Sequence, residues 1–79
     1  MDYSKVKYVK PSVDGVVYTT GTVYLTKDKV YDIQQVISDE FGLCCLINNT
    51  GRKNFIVIPE SAHLHGAHWI PCTKEGTPL

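Results

Sequence analysis

Neither sign of charge dominates this chain: eight Lys and Arg balance eight Asp and Glu, and the net charge is zero. Proteins that grip nucleic acid do so largely by neutralising phosphates, and a chain without a basic excess is poorly equipped for that. Long apolar runs are missing too. None approaches the roughly 18 apolar residues a spanning helix requires, and the opening MDYSKVKYVK lacks the apolar centre of a secretory leader. Cysteine is scarce and odd in number. Cys44, Cys45 and Cys72 cannot all pair within one chain, and adjacent strand residues point to opposite faces, so a disulfide framework of the secreted kind does not fit. The six glycines are spread singly, which excludes a glycine loop that cradles phosphate. Asn48-x-Thr50 matches the N-glycosylation pattern, but without secretion the match has no consequence. These absences together predict a cytoplasmic protein with reduced thiols and no membrane partner.

What the chain does have is β-strand character. Its 79 residues fit one domain, 1–79, and 43% hydrophobic residues suffice for a folded middle. Short stretches rich in Val, Ile, Thr and Tyr alternate with turn signals, the pattern of a small all-β domain. A first strand is expected over 4–10, ended by Pro11. An excursion punctuated by Asp14-Gly15 and Thr20-Gly21 follows, with strand-like arms near 16–19 and 22–25. Residues 29–37 alternate until Gln34-Gln35, where a bulge is expected. LCCLI and NFIVI read as the two strands of a hairpin around NNTG, and HWIPC as the last strand, near 68–72. The ordered core is expected to span about 4–72, with 73–79 frayed.

The order of these segments resembles a known group. LTKDKVYDIQQV, an acidic turn, LCCLINNTGR and FIVIPES are similar to the small proteins of phages and prophages with a Src-homology-3-like β-barrel. The matching positions are Leu25, Thr26, Lys29, Tyr31 and Ile33, then Ile47, Asn48 and Gly51, then Val57 and Pro59, within roughly residues 4–60. Asp28 departs from the pattern, which has glycine there, and nothing after Pro59 matches. The resemblance implies a five-stranded Src-homology-3-like barrel with a long loop after strand one, and a small phage or prophage product. The aromatic and acidic motifs with which peptide-binding Src-homology-3 domains hold polyproline are not visible.

Three sets of residues are candidates for function. The first is apolar. LCCLI and FIVI are hydrophobic on both faces, whereas one barrel interior needs only one. With Leu43, Cys45, Ile47, Phe55 and Val57 inward, Cys44, Leu46, Ile56 and Ile58 face outward as a patch. Such patches mark interfaces, and Trp69 is a further anchor. The competing reading places that patch inside, under the excursion or the Trp69 segment. The second set is His63, His65, His68 and Cys72, four ligands that zinc or copper accepts, although no second pair has the usual spacing. The third is Lys5, Lys7, Lys27 and Lys29 with Tyr8 and Tyr24, which suit phosphates and stacked bases of single-stranded nucleic acid.

No nucleophile elbow or paired carboxylates accompany these residues, so an enzyme is not expected, nor is a cofactor. The favoured expectation is a protein-interaction module that associates with itself or docks on a host protein and modulates it. Binding of single-stranded nucleic acid or of metal are the alternatives.

Overall fold

A computed structural model describes residues 5–58, 60–61 and 67–79. Their β-strands are β1 Tyr8–Pro11, β2 Gly15–Val17, β3 Thr22–Leu25, β4 Tyr31–Ser38, β5 Leu43–Ile47, β6 Lys53–Val57, β7 Glu60–Ser61 and β8 Ala67–Cys72. Five of these form an antiparallel sheet in the order β6-β5-β4-β1-β8, and the two-residue β7 continues it beyond β8. Strands β2 and β3 pair only with each other. The all-β expectation therefore holds, and the excursion after β1 is a hairpin.

Strand β1 is the hinge of the sheet. Val9 pairs with Tyr31 on one side and with Pro71 on the other. Pro11 closes the strand, as a residue without an N–H donor can. Its carbonyl accepts from Asp28 N–H at 2.9 Å, and the Ser12 N–H donates to the His68 carbonyl at 2.9 Å. Asp28 has a φ of 64°. That is the left-handed conformation glycine adopts most readily and aspartate tolerates.

The eight-residue β4 serves two neighbours. Tyr31 and Asp32 pair with β1, while Ile33 to Ser38 pair with β5. Its register shifts between Ile33 and Gln35, where the glutamine pair predicted a bulge, and again between Val36 and Ser38. A bulge adds twist and bends a strand, which suits one that passes from one partner to another. The β5–β6 hairpin is regular, with Cys44 opposite Ile56 and Cys45 opposite Phe55. At its open end Ile58 N–H donates to the Gly42 carbonyl at 2.9 Å, and a Cβ on Gly42 would meet backbone there.

The core consists of Val6, Val9, Leu25, Tyr31, Cys44, Leu46, Ile56, Ile58 and Trp69, with Tyr24, Ile33 and Val36 packed against it. This reverses the expected facing of β5 and β6. Cys44, Leu46, Ile56, Ile58 and Trp69, the predicted interface, are all at most 3% exposed. Period-two alternation sorts a strand into two sets but cannot say which is inside when both are apolar. Pairing Cys44 with Ile56 puts one whole set inward, and it is the set with Ile58 and Leu46. Burying each of the larger side chains stabilises the fold by roughly 1.5–3 kcal/mol.

The tail also differs from expectation. Thr73 N–H donates to the Thr77 carbonyl at 2.9 Å, Leu79 N–H donates to the Pro71 carbonyl at 3.0 Å, and Cys72 bridges Pro78. Residues 73–79 thus fold back on β8, with Gly76 close against Val30.

Ile56, fully buried, tests this core directly. An unpaired carboxylate has no partner there, so Ile56→Asp is expected to abolish the cooperative thermal transition followed by Trp69 fluorescence. A variant melting near the wild-type temperature would mean that Ile56 faces outward after all.

Candidate functional site

With the first set inside, the opposite set is on the surface. Ile47 and Phe55 are 41% and 51% exposed, Ile37 of β4 is 46% exposed, and Leu43 and Val57 are half-buried. Cross-strand pairing of Leu43 with Val57 and Cys45 with Phe55 places them on one side of the β5–β6 hairpin. Phe41, in the adjoining turn, is 69% exposed. An apolar surface on β4–β6 therefore exists: it has Leu43, Ile47, Phe55 and Val57, the residues expected inside, and Ile37 and Phe41 add to them. Cys45 belongs to this outer side. It is buried yet lies outside the core cluster.

The metal set is only partly placed. His63 and His65 lie outside the described residues. His68 is exposed, and Cys72 is buried beside the returning tail. No cluster of three or more metal-ligating side chains occurs among the described residues. Burial pushes the Cys72 thiol above its ordinary value, only partly countered by the nearby Lys10 ammonium.

The six residues suited to nucleic acid do not converge on one groove. Lys5 and Lys7 are exposed, and the Lys7 carbonyl accepts from Ile33 N–H on the β1 side of the sheet. Lys27 N–H donates to Asp14 Oδ1 at 2.7 Å, in the turn after β3. Lys29 Nζ donates to Asn49 Oδ1 at 2.9 Å and lies 5.2 Å from the centre of the Tyr31 ring. Tyr8 sits on β1 and Tyr24 on β3, both half-buried.

A concavity lies elsewhere, lined mostly by residues the sequence did not single out. It is a groove of about 660 Å³ between the two hairpins. Val16, Val17, Tyr18, Thr22 and Tyr24 of the β2–β3 hairpin form one wall, and Asn48, Thr50 and Arg52 from the β5–β6 turn form the other. Its volume falls within the range of ligand sites. Among the six candidates for nucleic acid only Tyr24 lines it. The local signals for it were the turns themselves: Thr20-Gly21 ends one wall, and Asn48 to Gly51 builds the other.

Asn49 fastens the walls together. Its backbone N–H donates to the Tyr24 carbonyl at 2.8 Å, and its Nδ2 donates to the Val23 carbonyl at 3.3 Å and to Thr26 Oγ1 at 2.9 Å. Its Oδ1 accepts from the Tyr31 hydroxyl at 2.8 Å and from Lys29. That hydroxyl in turn accepts from Thr26 N–H at 2.7 Å. Asn48 shapes the turn itself, since its Oδ1 accepts from Thr50 N–H, the Thr50 hydroxyl and Arg52 N–H. At the other wall, Gly15 has no side chain where a Cβ would meet the Tyr24 ring at 2.9 Å. That gap lets the ring lie against β2.

Cys44 is a poor nucleophile. Burial, and secondly the neighbouring Cys45, push its thiol from 9.0 up to about 11. The thiolate is the reactive form, and here it is suppressed. No helix among the described residues is long and apolar enough to cross a membrane. Comparison with known protein families, curated proteins and solved structures finds no match to this chain.

Two measurements probe these features. Asn49→Ala strips several bonds at once and leaves the Tyr31 hydroxyl without its acceptor. It is expected to lower stability by about 1–3 kcal/mol in urea titrations, and an unchanged midpoint would show that the hairpins dock without it. The Cys44 thiol gives a pH signature. An unfolded thiol ionises near its ordinary 9.0 and the folded one near 11, so the unfolded state holds fewer protons between these values. The stability that neutral Cys44 contributes is complete below about 9 and is lost as pH rises to about 11. Cys44→Ala is expected to lose stability less steeply than wild type across that window, and parallel curves would remove Cys44 as the cause.

Proposed function

We propose that this chain is a non-enzymatic protein-interaction module whose apolar surface on β4–β6 binds the same surface of a second copy. The observation that carries the reading is the set Ile37, Phe41, Ile47 and Phe55, four large apolar side chains each at least 41% exposed on neighbouring elements. Exposed apolar patches on small proteins mark contact sites. The net charge of zero leaves no long-range repulsion between copies. A two-fold arrangement lets each patch cover its own equivalent. Burial of the raised Cys44 thiol and of Cys72 argues against thiol catalysis.

The finer fold assignment belongs to the same proposal. A Src-homology-3-like barrel is supported by β1 pairing with both β4 and β8, and by a hairpin excursion between β1 and β4. Asp28 at positive φ, where the resembling pattern has glycine, supports it too. Phage or prophage origin, and docking on a host protein to modulate it, rest on that resemblance. A host protein would use this same surface in place of the second copy.

Light scattering across a concentration series, with native mass spectrometry, tests the reading. Wild type is expected to form a dimer. The double variant Ile37→Asp/Ile47→Asp is expected to be monomeric with stability changed by no more than about 0.5 kcal/mol per surface site. A wild type that stays monomeric at every concentration would remove self-association, and a double variant that unfolds would make these residues part of the core.

A further inference from the structure

The groove between the two hairpins has a chemistry of its own, separate from the β4–β6 surface. We propose that it is a second binding site, for an extended peptide segment that lays apolar or aromatic side chains along β2 and β3 and places a carboxylate on Arg52. Its two walls are chemically distinct. On one, Val16, Val17, Tyr18 and Tyr24 offer aliphatic and aromatic surface, and Tyr18 is 77% exposed. Tyrosine rings offer a large contact area to a ligand. On the other, Arg52 is the one charged residue lining the groove among the described residues.

The partners already used decide what Arg52 is left to do. Its N–H donates to Asn48 Oδ1, and its carbonyl accepts from Asn48 N–H at 2.9 Å. The backbone at Arg52 is thereby fixed. Its guanidinium, among the described residues, has neither an ion pair nor a hydrogen bond. Asn48 Oδ1 and the Thr50 hydroxyl are engaged with each other. Among the described residues the groove therefore presents a single unpaired cation, no carboxylate, and one apolar wall. A guanidinium matches a carboxylate through two parallel bonds. One cation complements one carboxylate, whereas a nucleic-acid strand brings a phosphate with every nucleotide and needs several. The sign is opposite to that of a groove built for basic, proline-rich peptides. Pre-organisation comes from Asn49, which locks the two walls at a fixed separation, and from Gly15, against which the Tyr24 ring packs.

Fluorescence anisotropy tests this with three labelled probes: a peptide in which Leu and Tyr alternate with Glu, its counterpart with Gln in place of Glu, and an oligothymidine. The acidic peptide is expected to bind wild type at least about tenfold more tightly than the amide peptide, the loss of one charge-assisted pair. Arg52→Gln, at an exposed position, is expected to erase that preference while Trp69 emission stays native. Tyr18→Ala is expected to weaken both peptides alike. The Ile37→Asp/Ile47→Asp variant is expected to bind as wild type does, which separates this site from self-association. Equal binding of the two peptides, binding of neither, a preference that survives Arg52→Gln, or tighter binding of the oligothymidine would each overturn the proposal.

Discussion

The side chain of Asn49 holds the molecule's two structural units in one arrangement. One unit is the five-stranded sheet, the other the β2–β3 hairpin, which shares no ladder with it among the described residues. Without ladder bonds, docking depends on apolar contact through Leu25 and Tyr24 and on directional bonds. Asn49 supplies most of the latter. Its amide donates toward β3 and the following turn, and its carbonyl oxygen accepts from Tyr31 at the start of β4. One short side chain thus reads the positions of three segments. Lys29, stacked near Tyr31 and bonded to the same oxygen, adds a charge-assisted bond at the rim.

Much of the strand layout was legible in the sequence because strands and turns are encoded locally. Thr20-Gly21 and Asn48 to Gly51 each fall where the chain reverses, Asp14-Gly15 falls where β2 begins, and the glutamine pair marks a real register shift. The β2–β3 arms and the final strand lie within a residue or two of expectation. What was not legible is global. LCCLI and FIVI are apolar at every position, and which side faces Trp69 follows from pairing and from the rest of the fold. A choice made from the strand alone inverted the interface. The tail misled for a related reason: its composition is polar, but backbone bonds from Thr73, Gly76 and Leu79 do not require apolar side chains.

The groove was hidden in a different way. Its residues come from chain segments roughly thirty positions apart, and no motif links the two. Asn48 and Asn49 look in sequence like ordinary turn residues. In space the first shapes the turn that carries Arg52, and the second fixes that turn against β3. The histidine-rich segment shows the reverse. It is conspicuous in sequence, while the described part of it contributes Trp69 to the core and leaves His68 exposed.

The double pairing of β1 has a consequence for the order in which the protein is made. Tyr8 lies between Asp32 and Cys72, so its strand gains a second neighbour only after β8 has been synthesised. Until Trp69 emerges, the growing chain has β1 as an open edge and a core lacking its largest buried side chain. Stretches between Val9 and Ile58 can form their local hairpins early, but the sheet closes over its core late, through its longest-range contacts. A nascent chain of this kind is exposed to mispairing on the ribosome until β8 is available to cover β1.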